Sequence, residues 1–303
     1  MKILVVIPHR GIGDLIYLLP LIRSLNKTYN TKINILSNKS NKANIVYKNE
    51  KCIRSINLFD LSHKNLFFNY NIKKHYLKKI NSYNADLLII TSRHSSFILP
   101  MHLSNAKKKI MFDLSNLFFW NKKTKHLINC KRIYYNSKNL KLKNFVRDFK
   151  LTYKNKNFKN TIFFNLDSHH NQNNWPIGNY INVIKKIAHK FKKIYINCSP
   201  KNFEIIKKIT KEFKEKKFEF TFKINFNLVI KKIQNSEIIV GNESGPICLG
   251  LSYNKKVLIL YSPEHTAPES KMIGNKSIYY NTSIQPFKNL EEKLCHEILS
   301  LKK

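Results

Sequence analysis

Short apolar runs rich in β-branched residues alternate along the chain with longer amphipathic segments. The first run, residues 2–8, leads through the loop HRGIGD into an apolar segment, Leu15–Asn26, that is typical of a helix. A strand that passes through a short loop into a helix is the usual opening of an α/β domain. In the first half, further strands are predicted at 32–36, 53–59, 85–91 and 107–112, and a basic helix at 72–80.

The same alternation restarts at residue 161, after a poorly patterned stretch that ends in YKNKNFKN. We therefore predict two domains, 1–155 and 156–303, with the last helix (about 290–301) as a candidate to pack back toward the first domain. Strands and helices at this spacing indicate parallel sheets and a ligand cleft at the carboxyl ends of the strands. Strands of the second half are predicted at 161–166, 193–198, 237–241 and 256–262, and helices at 177–191, 201–213, 226–234 and 290–301.

The charge of the chain is strongly positive, with 55 basic against 18 acidic residues and a formal net charge of +37. Such a charge attracts anionic surfaces, and a nucleic-acid-binding protein is one interpretation of it. The sequence has no zinc-finger, RRM or KH signature, and its lysines are scattered, so we expect no specific nucleic-acid partner. All six arginines lie in the first half, which hints at an anionic ligand there; chance is the alternative.

The five cysteines are widely spaced and form no CxxC pair. This spacing argues against a disulfide framework or a zinc site and fits a reducing cytoplasm. The first apolar run is too short for a signal peptide, and no stretch of the sequence approaches the ~20 apolar residues of a membrane span. We expect a cytoplasmic protein, either soluble or peripheral to the membrane.

Five of the seven glycines lie in two segments that each follow a predicted strand. Gly11 and Gly13 are in RGIGD, and Gly241, Gly245 and Gly250 are in GNESGPICLG. Glycine allows close backbone approach, and a helix that starts after such a loop presents N–H groups that suit phosphate. The alternative is that tight turns simply need glycine. Neither loop is a Walker loop or a full GxGxxG, so a dinucleotide enzyme is not expected.

Three segments together resemble the heptosyltransferases of glycosyltransferase family 9. They are the first strand with GIGD and an apolar helix containing Pro20, then NNWPIGNYINVIKKI (173–187), then IIVGNESGPICLGLSYNKKVLILYSPEH (238–265). The resemblance implies an α/β fold of the GT-B architecture, with two Rossmann-like domains whose sheets face each other across a cleft. It also implies metal-independent, inverting transfer of heptose from ADP-heptose to a lipopolysaccharide inner-core acceptor, without a cofactor.

The resemblance assigns roles to individual residues. Asp14 matches the catalytic base of the family, which would take the proton of the attacking acceptor hydroxyl. On local grounds alone, Asp14 is also a good helix N-cap. In the second domain, Glu243, Ser244, Gly245 and Pro246 match the donor loop, with backbone N–H groups and the serine hydroxyl on the diphosphate and the glutamate on the sugar.

The remaining predicted site residues belong to loops beside these two motifs. For the donor they are Asn173, Trp175 and His265. For the acceptor they are Arg10, Gly11, Gly13, Arg93 and His94, of which the two arginines are expected to bind a phosphate or carboxylate.

Three positions differ from the family pattern: Asn173 stands in place of Lys, Cys248 in place of His, and Glu243 in place of Asp. A missing cation beside the diphosphate weakens stabilisation of the leaving group, which a histidine such as His265 could restore. Two alternatives therefore stay open: a relative that binds nucleotide or glycolipid without turnover, and a transferase that uses another nucleotide sugar. We further expect the protein to be a monomer with an anionic glycolipid acceptor. Its basic helix at 72–80 is expected to contact the anionic inner face of the membrane.

Overall fold

The computed structural model divides into two compact units, Met1–Leu151 and Thr152–Lys303. The boundary predicted after residue 155 lies a few residues further along the chain. The structure describes all residues except 10, 61–69, 93–94, 112–141, 143–145, 147, 154–157, 168–174, 201, 205–206, 208–216, 222–224, 262–276, 282–286 and 303.

The described strands of the first unit form one parallel sheet in the order β3-β2-β1-β4-β5. Its central strands are fully buried, as expected for strands covered on both faces. The strands are β1 (Ile3–Ile7), β2 (Ile33–Asn38), β3 (Ile53–Phe59), β4 (Leu87–Ile90) and β5 (Lys108–Met111), and the helices are α1 (Ile12–Tyr29), α2 (Ala43–Val46), α3 (Tyr70–Asn81) and α4 (Ile98–Leu103).

The described strands of the second unit also form one parallel sheet, in the order β11-β10-β9-β6-β7-β8. Two of its strands, β8 and β11, were not predicted. The strands are β6 (Thr161–Asn165), β7 (Lys193–Asn197), β8 (Phe218–Thr221), β9 (Ile238–Asn242), β10 (Lys256–Tyr261) and β11 (Ser277–Asn281), and the helices are α5 (Ile177–Ile187), α6 (Phe226–Gln234), α7 (Gly245–Ser252) and α8 (Phe287–Lys302).

Both sheets have the doubly wound order of a Rossmann-like domain, so the predicted α/β fold class is confirmed. In each sheet the chain first builds outward from one strand and then returns to that strand's other side. The resulting switch point lies between β1 and β4 in the first unit and between β6 and β9 in the second. Ligands of such sheets bind outside the carboxyl ends of the strands at this point.

Helix α1 begins at Ile12, three residues before its predicted start, and Gly11 is its N-cap in an extended conformation. Asp14 is therefore the third residue of the helix, and the N-cap interpretation of Asp14 is wrong. The physical reason is that the Asp14 carboxylate accepts the backbone N–H of Gly11, one half of a capping box. Within the helix, the Ser24 hydroxyl donates to the carbonyl of Pro20 (2.7 Å).

Asparagine takes the backbone positions at which many proteins use glycine. Asn30, Asn84, Asn160 and Asn254 have positive φ angles, as has Lys42, whereas no described glycine does. Asparagine tolerates the left-handed region better than other residues that carry a Cβ. A chain with seven glycines can therefore still make these turns.

Helix α8 packs against α5 in the second unit. Its residues Leu290, Leu294 and Ile298 belong to the same buried cluster as Val183 and Ile187 of α5. The described packing of the last helix is thus accounted for within its own unit. In the part of the chain that the structure describes, no helix is long and apolar enough to cross a membrane.

Arg23 on α1 serves the first unit itself. Its guanidinium binds the buried carboxylate of Glu50 (2.9 Å), the carboxylate of Asp148 (3.2 Å) and the carbonyl of Lys150 (2.7 Å). These contacts fasten the end of the unit to its first helix. Arg23 therefore does not support the prediction that the arginines of the first half bind an anionic ligand, because its guanidinium binds groups of the protein.

Candidate functional site

The loop after β1 is tied to the end of β4, its neighbour at the switch point. The His9 ring donates from Nε2 to the carbonyl of Thr91, because a carbonyl can only accept. Thr91 in turn donates to the carbonyl of Val6 from both its backbone N–H and its hydroxyl, each at 3.0 Å. The residues that lead into helix α1 are thus held at the carboxyl edge of the sheet.

Asp14 lies in the first turn of α1, just beyond this loop. Burial raises the pKa of its carboxyl, while the positive charge of His9 and the N–H of Gly11 act in the opposite direction. The carboxylate is so close to Gly11 that a Cβ atom there would lie 2.7 Å from Asp14 Oδ2. A half-buried carboxylate with a raised pKa at a switch point has the properties of a general base.

Tyr47 supports the turn that carries Asp14. This tyrosine is fully buried, and its hydroxyl donates to the carbonyl of Leu15, the residue after Asp14. Burial, followed by the negative charge of Glu50, holds the pKa of Tyr47 well above its usual range, so the hydroxyl remains a donor. Tyr47 was not predicted as part of the site, because nothing in its local sequence distinguishes it from other core tyrosines.

The predicted donor loop, residues 243–246, follows β9 of the second unit and leads into helix α7. Ser244 is the N-cap of this helix in an extended conformation, and Pro246 lies in its first turn. The backbone N–H of Glu243 donates to the carbonyl of Leu260 on β10 (3.0 Å), which fixes the loop against the sheet. First-turn N–H groups have no acceptor inside their own helix, and those of Gly245 and Ile247 therefore have the position at which other helix starts bind anions.

A chain of hydrogen bonds crosses the carboxyl edge of the second sheet and ends on the donor loop. The Thr221 hydroxyl donates to the Asn197 amide oxygen (2.9 Å), and the Asn197 amide donates to the Asn165 amide oxygen (2.7 Å). The Asn165 amide then donates to the hydroxyl of Ser244 (2.9 Å). These side chains belong to four different elements, β8, β7, β6 and the loop after β9.

The hydroxyl of Ser244 has already used its proton. It donates to the carbonyl of Asn242 (2.9 Å) while accepting from Asn165, so one lone pair is all that it can offer a ligand. The contact of the Ser244 hydroxyl with the diphosphate stays a prediction. In this arrangement the hydroxyl has no second proton to donate, and the N–H groups at the start of α7 belong to the backbone.

Trp175 is part of the core and lies beside the donor loop through its backbone. Its backbone N–H donates to the Asn242 amide oxygen (3.0 Å), and its ring meets the ring of Tyr180 edge to face at 4.9 Å. The residue is 1% exposed, so the ring is not a ligand-facing surface in this structure. Trp175 therefore acts on the donor loop through the position of Asn242.

Two of the glycines singled out in the sequence serve packing. A Cβ on Gly241, within strand β9, would lie 2.3 Å from the carbonyl oxygen of Asn165 on β6. A Cβ on Gly250, within α7, would lie 2.5 Å from the side chain of Ile239. Close packing therefore explains the glycines at 241 and 250, whereas phosphate binding stays a prediction for Gly245 at the helix start.

The structure brings the described candidates together in two groups, one in each unit. In the first, Gly11 and Asp14 touch, and Gly13 lies between them in the first turn of α1. In the second, residues 243–246 form one turn at the switch point. The candidates Arg10, Arg93, His94, Asn173 and His265 lie outside the described residues.

The polar residues within two positions of the strand ends were not predicted: His9, Thr91, Asn165 and Asn242. The signal that could have found them is their position at the carboxyl ends of the switch-point strands. Among the described residues, no three His, Cys, Asp or Glu side chains come together as a metal site.

A family model described as glycosyltransferase family 9 (heptosyltransferase) matches residues 125–294, more than half of the chain. No curated protein sequence matches the chain. Among solved structures, the glycosyltransferase of family 9 from Veillonella parvula aligns with a TM-score of 0.77 at 16% identity and covers 99% of this chain and 97% of that one.

Two Escherichia coli structures are similarly close. Heptosyltransferase WaaC with ADP-2-deoxy-2-fluoro heptose aligns with a TM-score of 0.76 at 15% identity, covering 98% of this chain and 100% of that one. ADP-heptose lps heptosyltransferase II aligns with a TM-score of 0.75 at 13% identity, covering 100% and 98%. The two-domain GT-B fold extends over the whole chain, and the protein belongs to glycosyltransferase family 9, the heptosyltransferase family, as a glycosyltransferase.

Proposed function

We propose that the protein transfers heptose from ADP-heptose to a hydroxyl of a lipopolysaccharide inner-core acceptor, with inversion at the anomeric carbon and without a metal ion. The choice of donor is supported by two similar structures, an ADP-heptose lps heptosyltransferase and a heptosyltransferase with ADP-2-deoxy-2-fluoro heptose. The observation that carries the proposal is Asp14, a half-buried carboxylate with a raised pKa in the first turn of α1, the helix that follows β1.

In this mechanism Asp14 is the general base. Its carboxylate takes the proton of the acceptor hydroxyl while the hydroxyl oxygen forms a bond to the anomeric carbon. On the opposite side of that carbon, the bond to the diphosphate oxygen breaks, and the nucleoside diphosphate leaves with the electron pair. Attack opposite to the leaving group inverts the configuration, and Asp14 ends the step protonated, a state that its burial favours.

The developing charge on the diphosphate would meet the start of α7. The N–H groups of Gly245 and Ile247 and the positive end of the helix dipole suit an anion at this point. Asn165 and Asn242 position the loop, since they hold the hydroxyl of Ser244 from both sides. The carboxylate of Glu243 is proposed to accept hydrogen bonds from hydroxyl groups of the sugar.

A second candidate is a relative that binds nucleotide or glycolipid without turnover. It is favoured by the substitution of Cys248, which is 5% exposed within α7 and thus offers neither a cation nor an accessible donor where the family pattern has histidine. A third is a transferase that uses a different nucleotide sugar. The reaction is proposed to take place at the cytoplasmic face of the inner membrane, by a monomer.

A thermal-shift panel with ADP, GDP, UDP and CDP tests these candidates. A nucleotide at a hundred times its Kd adds about 2.7 kcal/mol of stability. We expect selective stabilisation by ADP, and release of ADP from ADP-heptose when acceptor is added, unaffected by EDTA. Stabilisation by another nucleotide would change the sugar, whereas stabilisation without turnover would favour the second candidate.

The variant Gly245→Pro tests whether the thermal shift with ADP depends on the start of α7. It removes one N–H from the proposed diphosphate site at the first helical position, where proline is common; because Pro246 follows directly, urea denaturation first checks that the variant folds. Gly178→Pro is the matched control, because it removes a first-turn N–H from α5 in the same unit, where no atom lies within 4 Å of the added Cβ. The ADP shift should fall in Gly245→Pro and persist in Gly178→Pro; an unchanged shift in both would contradict the donor site.

A further inference from the structure

We propose that a face formed by helices α3 and α4 of the first unit docks onto an anionic lipid surface. This α3–α4 face comprises Tyr70, Lys74 and Lys78 of α3 and Leu99 and Leu103 of α4. The inference rests on the proposed function, which places the acceptor in a membrane, and it names the surface that would meet that membrane.

The face carries apolar side chains that the fold leaves in solvent. Tyr70 is 75% exposed, Leu103 56% and Leu99 52%. Five large hydrophobic side chains are exposed in the described part of the chain, and three of them lie on these two short helices. Such clustering marks an interaction surface more often than scattered single residues do.

The two helices lie side by side. The ring of Tyr76 on α3 meets the ring of Phe97, just before α4, edge to face at 6.0 Å in a common buried cluster. At the other end, the side chain of Asn81, the last residue of α3, accepts the backbone N–H of Asn105, shortly after α4 (2.9 Å). These contacts hold α4 beside the second half of α3, and from this packing we infer that the exposed side chains of the two helices share one surface.

The charge of this surface selects its partner. Helix α3 has the sequence YNIKKHYLKKIN, with four lysines and no acidic residue. Each lysine near an anionic membrane contributes about 1 kcal/mol to binding, and exposed leucines beside them can enter the boundary between head groups and acyl chains. A nucleic acid would use the lysines but not the leucines. A second copy of this basic surface would be repelled by it.

Co-sedimentation with vesicles tests the inference on the intact protein. The vesicles are phosphatidylcholine alone or mixed with phosphatidylglycerol, each at low and at moderate salt. The first variant is Lys74→Gln/Lys78→Gln, with Lys190→Gln/Lys192→Gln as a control that removes the same charge from exposed positions of the second unit. The second is Leu99→Ser/Leu103→Ser, with Leu228→Ser, 40% exposed on α6, as its control.

We expect binding to the anionic vesicles and not to phosphatidylcholine. At roughly 1 kcal/mol per lysine, the α3 double variant should lose more than about tenfold in affinity, and the control pair clearly less. The leucine double variant should lose the part of the binding that resists salt, while Leu228→Ser keeps it. Equal losses in face variants and controls, or no binding of the parent protein at low salt, would overturn the inference. So would a change of oligomeric state in the leucine variant with unchanged vesicle binding.

The nucleotide panel on the same variants separates this inference from the proposed function. Variants of the α3–α4 face should keep the full thermal shift with ADP, because the donor loop lies in the other unit. Vesicle binding without any nucleotide shift would count against the proposed function alone. A nucleotide shift with no face-specific vesicle binding would count against the docking surface alone.

Discussion

The carboxylate of Asp14 occupies the space that a side chain at Gly11 would need: a Cβ atom at position 11 would lie 2.7 Å from Asp14 Oδ2. The same carboxylate accepts the backbone N–H of Gly11. Gly11 has φ −80° and ψ 143°, a conformation open to any residue, so the glycine is needed for the close approach and not for its backbone angles. Occupying the space should therefore move the carboxylate and leave the fold in place.

We expect Gly11→Ala to fold normally and to lose activity. The displaced atom is the end of a side chain that can rotate, so the free energy of unfolding should change by only about 0.5 kcal/mol. A misplacement of about 1 Å of a catalytic group can cost about 100-fold in rate. Urea denaturation and initial rates of sugar transfer measure the two effects.

Gly178→Ala is the control for this glycine, since no atom lies within 4 Å of its added Cβ at the start of α5. It should leave transfer unchanged and stabilise the protein by up to about 1 kcal/mol. Full activity of Gly11→Ala would show that the position of the carboxylate does not matter, and with it the base assignment would fail.

Asp14→Asn should lower the rate of sugar transfer and raise the stability of the protein. Burial raises the pKa of Asp14 above its unfolded value, so the ionised carboxylate opposes folding and this cost grows as the pH rises through the folded pKa. The asparagine variant keeps an oxygen that can accept the Gly11 N–H but carries no charge. Transfer should fall by roughly 100- to 10,000-fold, the usual contribution of a general base.

The pH dependence of stability provides the specific test for Asp14→Asn. At neutral pH the variant should be more stable than the parent protein, and at a pH below the usual pKa of aspartate the difference should vanish, because the parent carboxyl is then neutral in both the folded and unfolded states. Chemical denaturation at several pH values measures this. A parent protein that is more stable than Asp14→Asn at neutral pH would mean that the charged carboxylate has a stabilising partner.

His9→Gln should shift the pH profile of the reaction. The positive charge of His9 lowers the pKa of Asp14, so its removal raises that pKa further. Glutamine can still donate to the carbonyl of Thr91, which keeps the loop in place. The acidic limb of kcat/KM against pH should therefore move to higher pH, while the rate on the plateau changes little. A limb that stays in place would exclude electrostatic coupling between the two residues.

The sequence was sufficient for the fold class and for the location of both motifs. Buried parallel strands read as continuous apolar runs, and β1, β4, β6 and β9 all have such runs. The strands that it missed, β8 and β11, lie at the edges of the second sheet and mix polar with apolar residues. An edge strand need not be buried on both faces, so its sequence need not be a continuous apolar run.

The chemistry of the candidate sites was less accessible from the sequence. The Ser244 hydroxyl oxygen accepts a hydrogen bond from the amide of Asn165, which is 79 residues away in the sequence and meets it across the switch point. Whether an aromatic ring faces ligand or core is equally a matter of packing, and Trp175 resembles a ligand-facing residue until Tyr180 is seen beside it. Local sequence gives the type of side chain at a strand end, but the order of the strands determines which side chains meet.

Gly241 and Gly250 differ in what an added Cβ atom would meet: the backbone of Asn165 in one case and the side chain of Ile239 in the other. In Gly241→Ala, the new Cβ would meet the backbone carbonyl of Asn165 at 2.3 Å, and two paired strands must separate. We expect a loss of about 3 kcal/mol and a weaker nucleotide shift, since Asn165 also holds Ser244. In Gly250→Ala the obstacle is the end of the Ile239 side chain, and alanine favours the helix, so the change should stay within about 1 kcal/mol. Equal losses in the two variants, measured by urea denaturation, would contradict this account.

Lys42 is the one described residue with a positive φ that is neither asparagine nor glycine; it has φ 57° and ψ 37° at the start of α2. A left-handed conformation costs a residue with a Cβ about 1 kcal/mol, and glycine removes that cost at the expense of a more flexible unfolded chain. Lys42→Gly should therefore stabilise the protein by about 0.5 kcal/mol. Lys27→Gly, an exposed position inside α1, removes the same charge and should destabilise it by about 1 kcal/mol. Opposite signs in thermal denaturation would identify the backbone, and not the lost lysine charge, as the cause, whereas destabilisation by both variants would show that the turn at Lys42 is not strained.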